Sequence, residues 1–339
     1  MNLKMSFRRI SEIIWGMIIV LGAIYPGASA QEYQIPPYVD TALFSEIELS
    51  LNGEYPLGVS MVVARTSDPT AVVLLFNGFG FRDRDEAFGT IKPLRDIAWG
   101  LATQGIASIR FDSRSYALGA DEVAGMNLDR YLMGDIAALL AYARMQPELF
   151  DTSRIYVAGY GLGGLVAPEV ARRDSNLAGV ILLSAAARPP HEILADALGR
   201  YASTSDSTTT GPDSGRAEAL AVLKQLSERS LPSDQLVLFA AAQVWYDLMD
   251  AGGVRSAQNL GCPILVIQGG RDVETIDKDF ALWKEALDRR DKVTFKKYGN
   301  LNHFYQPGWG TATEADYVTN ASSVDRRVID DIAAWIKSR

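Results

Sequence analysis

Residues 155–164 give the strongest indication of the fold. They read Ile155-Tyr156-Val157-Ala158-Gly159-Tyr160-Gly161-Leu162-Gly163-Gly164, an apolar run followed by a glycine-rich turn. The turn has the spacing of the G-x-S-x-G motif, in which a strand passes sharply into a helix and a nucleophile stands at the tip. Gly159 and Gly163 supply the small residues that let the helix approach the neighbouring strands. Residues 159–163, which we call the elbow, place Gly161 at the tip between Tyr160 and Leu162.

Glycine at the tip of the elbow has two consequences. The tip normally adopts a left-handed backbone conformation, which costs a non-glycine residue on the order of 1–3 kcal/mol. Gly161 avoids this strain because it has no Cβ atom. It also lacks the hydroxyl of a serine, so the sequence predicts a scaffold for a nucleophile without the attacking atom.

Apolar runs of strand length alternate with amphipathic stretches of helix length along the chain. The runs typical of strands are residues 71–76, 106–111, 155–158, 179–183, 264–268 and 293–298. Helical periodicity falls in residues 93–103, 128–143, 162–173, 277–287 and 325–336. This alternation predicts an α/β fold with a mostly parallel central sheet flanked by helices. Ahead of it, residues 44–51 and 58–65 are joined through Asn52-Gly53, which predicts an N-terminal antiparallel hairpin.

The alternation stops between residues 188 and 258, which we predict to be an inserted cap with helices at 216–226 and 235–248. The core is then formed by residues 31–187 and 259–339. A cap in this place would cover the edge of the sheet where α/β proteins bind ligands. The cap contains four aromatic residues, Tyr201, Phe239, Trp245 and Tyr246. They line either a pocket or the cap's own small core, and the small core is the favoured interpretation.

The first thirty residues have the three-part layout of a secretory signal peptide. Basic residues near Lys4 precede the apolar stretch 13–23, and Ala28-Ser29-Ala30 precedes Gln31. We expect cleavage after Ala30 and a secreted or periplasmic protein. A retained membrane anchor is less favoured because the apolar stretch is shorter than the roughly 20 residues that a spanning helix needs.

Composition limits the classes of partner. The formal net charge of −8 argues against nucleic acid as a partner. Cys262 is the single cysteine of the chain, so no intrachain disulfide can form. Its apolar surroundings favour a core position over a nucleophilic thiol. We expect neither a metal nor another cofactor, and the oligomeric state is not determined by the sequence.

Each of the last two predicted strands is followed by a polar residue that can act in catalysis. Along the chain an acid comes first and a base second, which is the order in which they follow an elbow. Asp272 comes directly after the run 264–268, and His303 follows the run 293–298. Asp272 could instead be a turn residue, and the other histidine, His191, lies at the start of the cap without a carboxylate on an adjoining strand end. The backbone N–H groups of Leu162 and Phe79 are the expected oxyanion donors, because they follow the tip and an early strand.

Six segments together give the chain a family resemblance: residues 77–86, 92–98, 111–116, 159–164, 268–272 and 301–304. On these the chain resembles the α/β-hydrolase superfamily, and within it secreted bacterial carboxylesterases of the dienelactone-hydrolase or serine-aminopeptidase-like branch. The resemblance implies an α/β-hydrolase fold and ester hydrolysis by a serine nucleophile.

The chain departs from the family pattern at three places around the expected site. The family elbow reads Gly-His-Ser-Leu-Gly-Gly where this chain has Tyr160 and Gly161, the early loop has His where this chain has Asn77, and lysine is common near Ser113. An acyl-enzyme needs a nucleophilic oxygen or sulfur within reach of the base, and Gly161 offers neither.

Three functions therefore remain open. The favoured one is a protein that binds a small acyl, ester or carboxylate ligand without normal serine-hydrolase turnover. The second is an active hydrolase or lyase in which Asp272 and His303 form a general-base dyad, or in which Ser113 or Ser115 replaces the nucleophile. The third is a structural or protein-interaction role. The hypotheses differ in whether substitution of His303 changes turnover or ligand binding.

Overall fold

The computed structural model describes residues 33–51, 55–77, 79–204, 212–313, 316–319 and 322–339. The predicted signal peptide and the Asn52-Gly53 turn lie outside these ranges. Among the helices of the described residues, none combines the length and the apolar character needed to cross a bilayer.

Eight strands form one twisted sheet in the order β1-β2-β4-β3-β5-β6-β9-β10. Strand β2 pairs antiparallel with both of its neighbours, and the other pairings in this sheet are parallel. This confirms the predicted fold class, including the N-terminal antiparallel hairpin. The strands are β1 (Phe44–Leu51), β2 (Leu57–Ala64), β3 (Thr70–Phe76), β4 (Ala107–Phe111), β5 (Phe150–Tyr160), β6 (Gly179–Leu183), β9 (Ile264–Gly269) and β10 (Val293–Tyr298), and a separate ribbon holds β7 (Leu236–Val237) and β8 (Ala240–Ala241).

Helices cover both faces of the sheet. The described α-helices are α1 (Pro93–Thr103), α2 (Arg114–Leu118), α3 (Gly134–Arg144), α4 (Gly163–Arg173), α5 (Pro190–Thr204), α6 (Pro212–Ser227), α7 (Ala242–Ala251), α8 (Gly253–Gln258), α9 (Asp277–Leu287), α10 (Asp316–Thr319) and α11 (Arg326–Lys337). Two 3-10 turns, Thr41–Leu43 and Asp121–Val123, and a π-helical turn, Asp129–Met133, complete the described helical elements.

The apolar core lies in two layers, one on each face of the sheet. Strand β3 is buried along its whole length, and its side chains alternate between the layers because successive strand residues point to opposite faces. Val72 and Leu74 pack with helices α3 and α4, whereas Val73 and Leu75 pack with helices α1 and α11. This double burial holds β3 and β5 in the centre of the sheet and fixes the elbow that follows β5.

The segment predicted as a cap contributes helices between β6 and β9, but its second helix is shorter than predicted. The prediction placed a helix at residues 235–248; instead the chain forms the β7–β8 ribbon and begins helix α7 at Ala242. Leu238 lies between the two short strands with a φ of 63°, a conformation that interrupts a helix. Helix α5 at the start of this segment was not among the two helices predicted for the cap.

Of the four aromatic residues named in the cap, Phe239, Trp245 and Tyr246 have described side chains, and Tyr201 lies outside them. Trp245 is fully buried, and its ring lies 5.9 Å from that of Phe79 and 5.2 Å from that of Phe239. The indole N–H donates to the carbonyl oxygen of Val237, and the hydroxyl of Tyr246 bonds to the backbone of Leu231. Trp245 therefore joins the cap to the loop after β3, whereas Tyr246 stabilises the cap itself.

Candidate active site

The elbow is the tightest turn of the site. Strand β5 ends at Tyr160 and helix α4 begins at Gly163, so that Gly161 and Leu162 form the turn. Gly161 has a φ of 55°, the left-handed conformation expected for the tip. Its N–H donates to Leu183 and its carbonyl oxygen accepts from the N–H of Ala186, at 3.0 and 2.9 Å. The position of the tip is therefore fixed by the neighbouring strand β6 and the residues that follow it.

The two flanking glycines are required by close backbone approach. A Cβ atom on Gly159 would collide with the backbone of Gly163, and one on Gly163 would collide with the carbonyl groups of Phe76 and Asn77. Helix α4 therefore packs directly on the strand ends, as the spacing of the elbow predicts.

Asp272 and His303 meet at the carboxyl edge of the sheet. They follow β9 and β10, which are parallel neighbours, and the His303 Nδ1 atom lies 2.8 Å from the Asp272 Oδ2 atom. A Cβ atom built on Gly161 would lie 3.9 Å from the Nε2 atom of the same imidazole. The structure thus brings the three predicted positions together, with Gly161 on the side of the ring opposite the acid.

Four further donors hold the Asp272 carboxylate. Its Oδ1 atom accepts from the backbone N–H groups of Glu274 and Thr275, each at 2.9 Å. Its Oδ2 atom lies 2.7 Å from the Thr275 hydroxyl and 3.1 Å from the Gln268 amide nitrogen. These hydrogen bonds fix the carboxylate in the orientation that brings its Oδ2 atom to the imidazole.

Thr275 and Gln268 were not predicted as site residues. Gln268 gave a signal, since a polar side chain at the end of an otherwise apolar run must find partners when buried. Thr275 gave none, because its role depends on the turn of the loop after β9.

The backbone of His303 is anchored from two strands. Its carbonyl oxygen accepts from the hydroxyl of Tyr160 at 2.9 Å and from that of Ser184 at 3.1 Å. The Tyr160 ring also lies 4.9 Å from the imidazole. Burial raises the pKa of Tyr160 well above its usual value, so its hydroxyl remains a neutral donor. Tyr160, where the family elbow has histidine, therefore helps to hold His303 in place.

Two glutamates add negative charge beside the imidazole. Glu274 Oε2 lies 3.6 Å from His303 Nε2, and Glu86 reaches the site from the loop after β3. Burial lowers the pKa of His303, but the carboxylates of Asp272, Glu274 and Glu86 outweigh it and raise that pKa to about 9. The three carboxylates therefore favour the protonated form of the ring.

Glu86 has an unusual backbone conformation in the loop after β3. Its φ is 56°, and its carboxylate accepts from the amide of Asn77 and pairs with Arg82 at 3.4 Å. Burial raises the pKa of Glu86, while Arg82 and Asn77 oppose this effect. Asn77, where the family has histidine, thus uses its side chain to connect the strand end to Glu86.

The expected oxyanion donors lie on the two loops predicted for them. Leu162 is the N-cap of α4, where backbone N–H groups have no partner within the helix. Phe79 is buried in the loop after β3, and its ring packs on Tyr131 at 5.7 Å. Leu162 belongs to the elbow itself, and Phe79 follows β3, the strand that pairs with β5. That their N–H groups act as oxyanion donors stays a prediction.

The two serines proposed as substitute nucleophiles make other bonds. Ser113 caps helix α2 by accepting from the Tyr116 N–H at 3.2 Å, and its hydroxyl donates to Gly80. The Ser115 hydroxyl bonds to the Tyr131 hydroxyl and to the Phe239 carbonyl oxygen, both at 2.6 Å. Each hydroxyl is therefore engaged in holding the loop after β4 against its neighbours.

Metal binding and thiol chemistry find no support in the part of the chain that the structure describes. No group of three or more His, Cys, Asp and Glu side chains there is arranged to hold a metal ion. Cys262 is half-buried before β9, and burial raises the pKa of its thiol, which disfavours the reactive thiolate.

The chain matches the family model described as "Serine aminopeptidase, S33" over residues 67–304. It belongs to this family. The matched region contains the elbow, Asp272 and His303. The relative Esterase EstD of Thermotoga maritima is 33% identical over 317 residues, which is 94% of this chain and 73% of that protein.

Solved α/β-hydrolase structures share the fold. The α/β hydrolase GrgF from Penicillium sp. sh18 has a TM-score of 0.56 at 15% identity, covering 87% of this chain and 98% of that one. Est1E from Butyrivibrio proteoclasticus has a TM-score of 0.55 at 14% identity, covering 86% and 99%. These similarities concern the fold, whereas the family match and EstD place the chain among the esterase-like α/β hydrolases.

Proposed function

We propose that this protein binds a small acyl, ester or carboxylate ligand beneath its cap and lacks the serine-dependent acyl transfer of its family. The observation that carries the proposal is the 3.9 Å between the His303 Nε2 atom and a Cβ built on Gly161. A serine there would place its oxygen within reach of the base, but glycine leaves a gap. No acyl-enzyme can form at a position without oxygen or sulfur.

Ligand binding is supported by what the site retains. Backbone oxyanion donors do not depend on the identity of residue 161, and the Asp272–His303 pair keeps its bond of 2.8 Å. A carbonyl oxygen could therefore still be polarised beside an oriented imidazole.

A panel of p-nitrophenyl esters on the wild type, Gly161→Ser and His303→Ala tests the proposal. The wild type should hydrolyse the panel no faster than His303→Ala, while a short-chain ester or acid should raise its melting temperature. Hydrolysis by the wild type at normal esterase rates, abolished by His303→Ala, would overturn it. The Thermotoga relative is named an esterase, and the Gly161→Ser variant of this protein should hydrolyse the esters of the panel.

A second candidate is hydrolysis or proton abstraction by the Asp272–His303 dyad as a general base on water. It is favoured by the geometry of the dyad, and general-base catalysis alone contributes about 10²–10⁴-fold. Because the pKa of His303 is raised to about 9, this activity would increase with pH up to that value. A slow turnover that rises in this way and disappears in His303→Ala would identify it.

We also propose that the protein is exported, on the basis of residues 1–30 alone. Export can be tested independently of ligand binding. Mass spectrometry of the protein purified from its own host should find Gln31 at the N-terminus. An intact N-terminus on the host protein would contradict the proposed cleavage after Ala30.

A further inference from the structure

The imidazole of His303 lies between two carboxylates of one loop. Asp272 Oδ2 is 2.8 Å from Nδ1, and Glu274 Oε2 is 3.6 Å from Nε2. The Asp272 side chain is fully buried, whereas that of Glu274 is 39% exposed. Glu274 therefore faces the ring atom to which a serine hydroxyl would donate in an ordinary hydrolase of this fold.

The other elements around the ring contribute one more acidic group. From the loop after β3, Glu86 adds negative charge, and Arg82 and the Asn77 amide contact its carboxylate. From β5, the Tyr160 hydroxyl donates to the His303 carbonyl oxygen. The Phe304 ring lies 5.5 Å from the imidazole and carries no charge.

The groups that face Nε2 determine whether this atom is protonated. With Nδ1–H donating to Asp272, a neutral imidazole would direct the lone pair of Nε2 toward the Glu274 carboxylate, and two acceptors repel each other. A serine at residue 161 would offer a hydroxyl donor to this lone pair, but Gly161 offers none. Protonation converts Nε2 into an N–H donor and turns the repulsion into attraction. Because 3.6 Å is longer than a hydrogen bond, the Nε2–H can still donate to a ligand.

We propose that Glu274 is a positioning residue that keeps His303 protonated, so that Nε2–H is offered as a hydrogen-bond donor to the ligand. The inference rests on the proposed function, because it makes His303 a binding group rather than a base. Two carboxylates, Asp272 and Glu274, outnumber the single imidazolium. The site therefore favours the neutral carbonyl of an ester or acyl group over a free carboxylate.

An NMR titration of the histidine Cε1–H signals tests this inference without any ligand. The chain has two histidines, so His191→Gln assigns the signal of His303. The wild-type signal should titrate with a midpoint near 9. Glu274→Gln should lower that midpoint by about one pH unit or more, because an opposite charge at this distance shifts a pKa by roughly 1–3.

Two further variants separate this effect from a structural one. Glu274→Asp keeps the charge and should retain part of the shift. Asp277→Asn removes a carboxylate three residues away that pairs with Lys297 at 2.8 Å, and it should leave the His303 midpoint unchanged. The His191 signal and the circular dichroism spectrum of each variant verify that the fold is intact.

An unchanged His303 midpoint in folded Glu274→Gln would overturn the inference, as would a wild-type midpoint below neutral pH. Neither result depends on turnover. The ester panel decides the proposed function through Gly161 and His303→Ala, whereas the titration decides the role of Glu274, so each can fail while the other stands.

Discussion

A Cβ atom on Gly161 would lie 3.9 Å from His303 Nε2 and 4.0 Å from its Cε1, so that residue 161 faces the catalytic edge of the imidazole. The distance leaves room for one side-chain oxygen between the two residues. The residue that faces this edge of the ring therefore has no side-chain atom of its own.

Gly161→Ser should introduce measurable esterase activity. The serine oxygen would lie near Nε2 and the backbone donors of the elbow, which is the geometry that nucleophilic catalysis requires. The φ of 55° should destabilise the variant by on the order of 1–3 kcal/mol. Ester hydrolysis and urea unfolding measure the two effects.

Gly161→Ala is the matched control for this variant. It introduces the same backbone strain without an oxygen, so it should lose similar stability and gain no activity. Equal activity in the serine and alanine variants would show that the site is closed or misaligned elsewhere, for instance at Asn77.

The activity of Gly161→Ser should depend strongly on pH. His303 can accept the serine proton only when neutral, and its pKa is raised to about 9. The rate constant kcat/KM should therefore increase about tenfold for each pH unit below 9 and level off above it. Adding Glu274→Gln should move this profile to lower pH. A profile that levels off near pH 7 in the single variant would contradict the assignment.

Stability should also change with pH through His303. Its folded-state pKa of about 9 lies above the ordinary value of 6.5, so the folded protein holds this proton more tightly. The stabilisation is complete below pH 6.5 and is lost as the pH rises through 9, by on the order of 3 kcal/mol. Urea unfolding at pH 6.5 and pH 9.5 measures it. The dependence should be weaker in His303→Gln.

Thr275→Val should destabilise the protein by about 1–3 kcal/mol, because it leaves buried partners unsatisfied. The hydroxyl lies 2.7 Å from Asp272 Oδ2 and 2.9 Å from the Ser184 carbonyl oxygen. Valine keeps the shape and the backbone N–H but removes this donor. Thr275→Ser keeps the hydroxyl and should be closer to the wild type in urea unfolding. Equal stability of all three proteins would mean that the hydroxyl contributes nothing.

Ser113→Ala should reduce stability by roughly 1 kcal/mol through loss of the cap on helix α2. It should not alter any residual ester turnover of folded protein, since the Ser113 hydroxyl donates to Gly80. Thermal unfolding and the ester panel measure the two quantities. Loss of turnover with the fold retained would instead identify Ser113 as a substitute nucleophile, and Ser115→Ala is the parallel test.

Periodicity predicted most of the regular structure because it is a local property of the chain. The bounds of β10, α1 and α9 agree with the prediction to the residue. The helix predicted at 128–143 begins instead with the π-helical turn, and the cap helix predicted from Gln235 begins at Ala242. The second difference falls where the chain turns at Leu238 and packing of Trp245 on Phe79 overrides local preference. Nothing in the structure explains the π-helical turn.

The parallel sheet, the glycine at the tip of the elbow and the order of Asp272 and His303 were predictable from the sequence, because strand spacing and residue order are local properties of the chain. Three contacts were not predictable and became visible in the folded chain: Glu274 faces Nε2, Tyr160 holds the His303 backbone and Glu86 approaches from another loop. These contacts join loops that are distant in sequence, and their geometry depends on the paths of those loops at the edge of the sheet. The charge state of the imidazole is therefore a property of the fold.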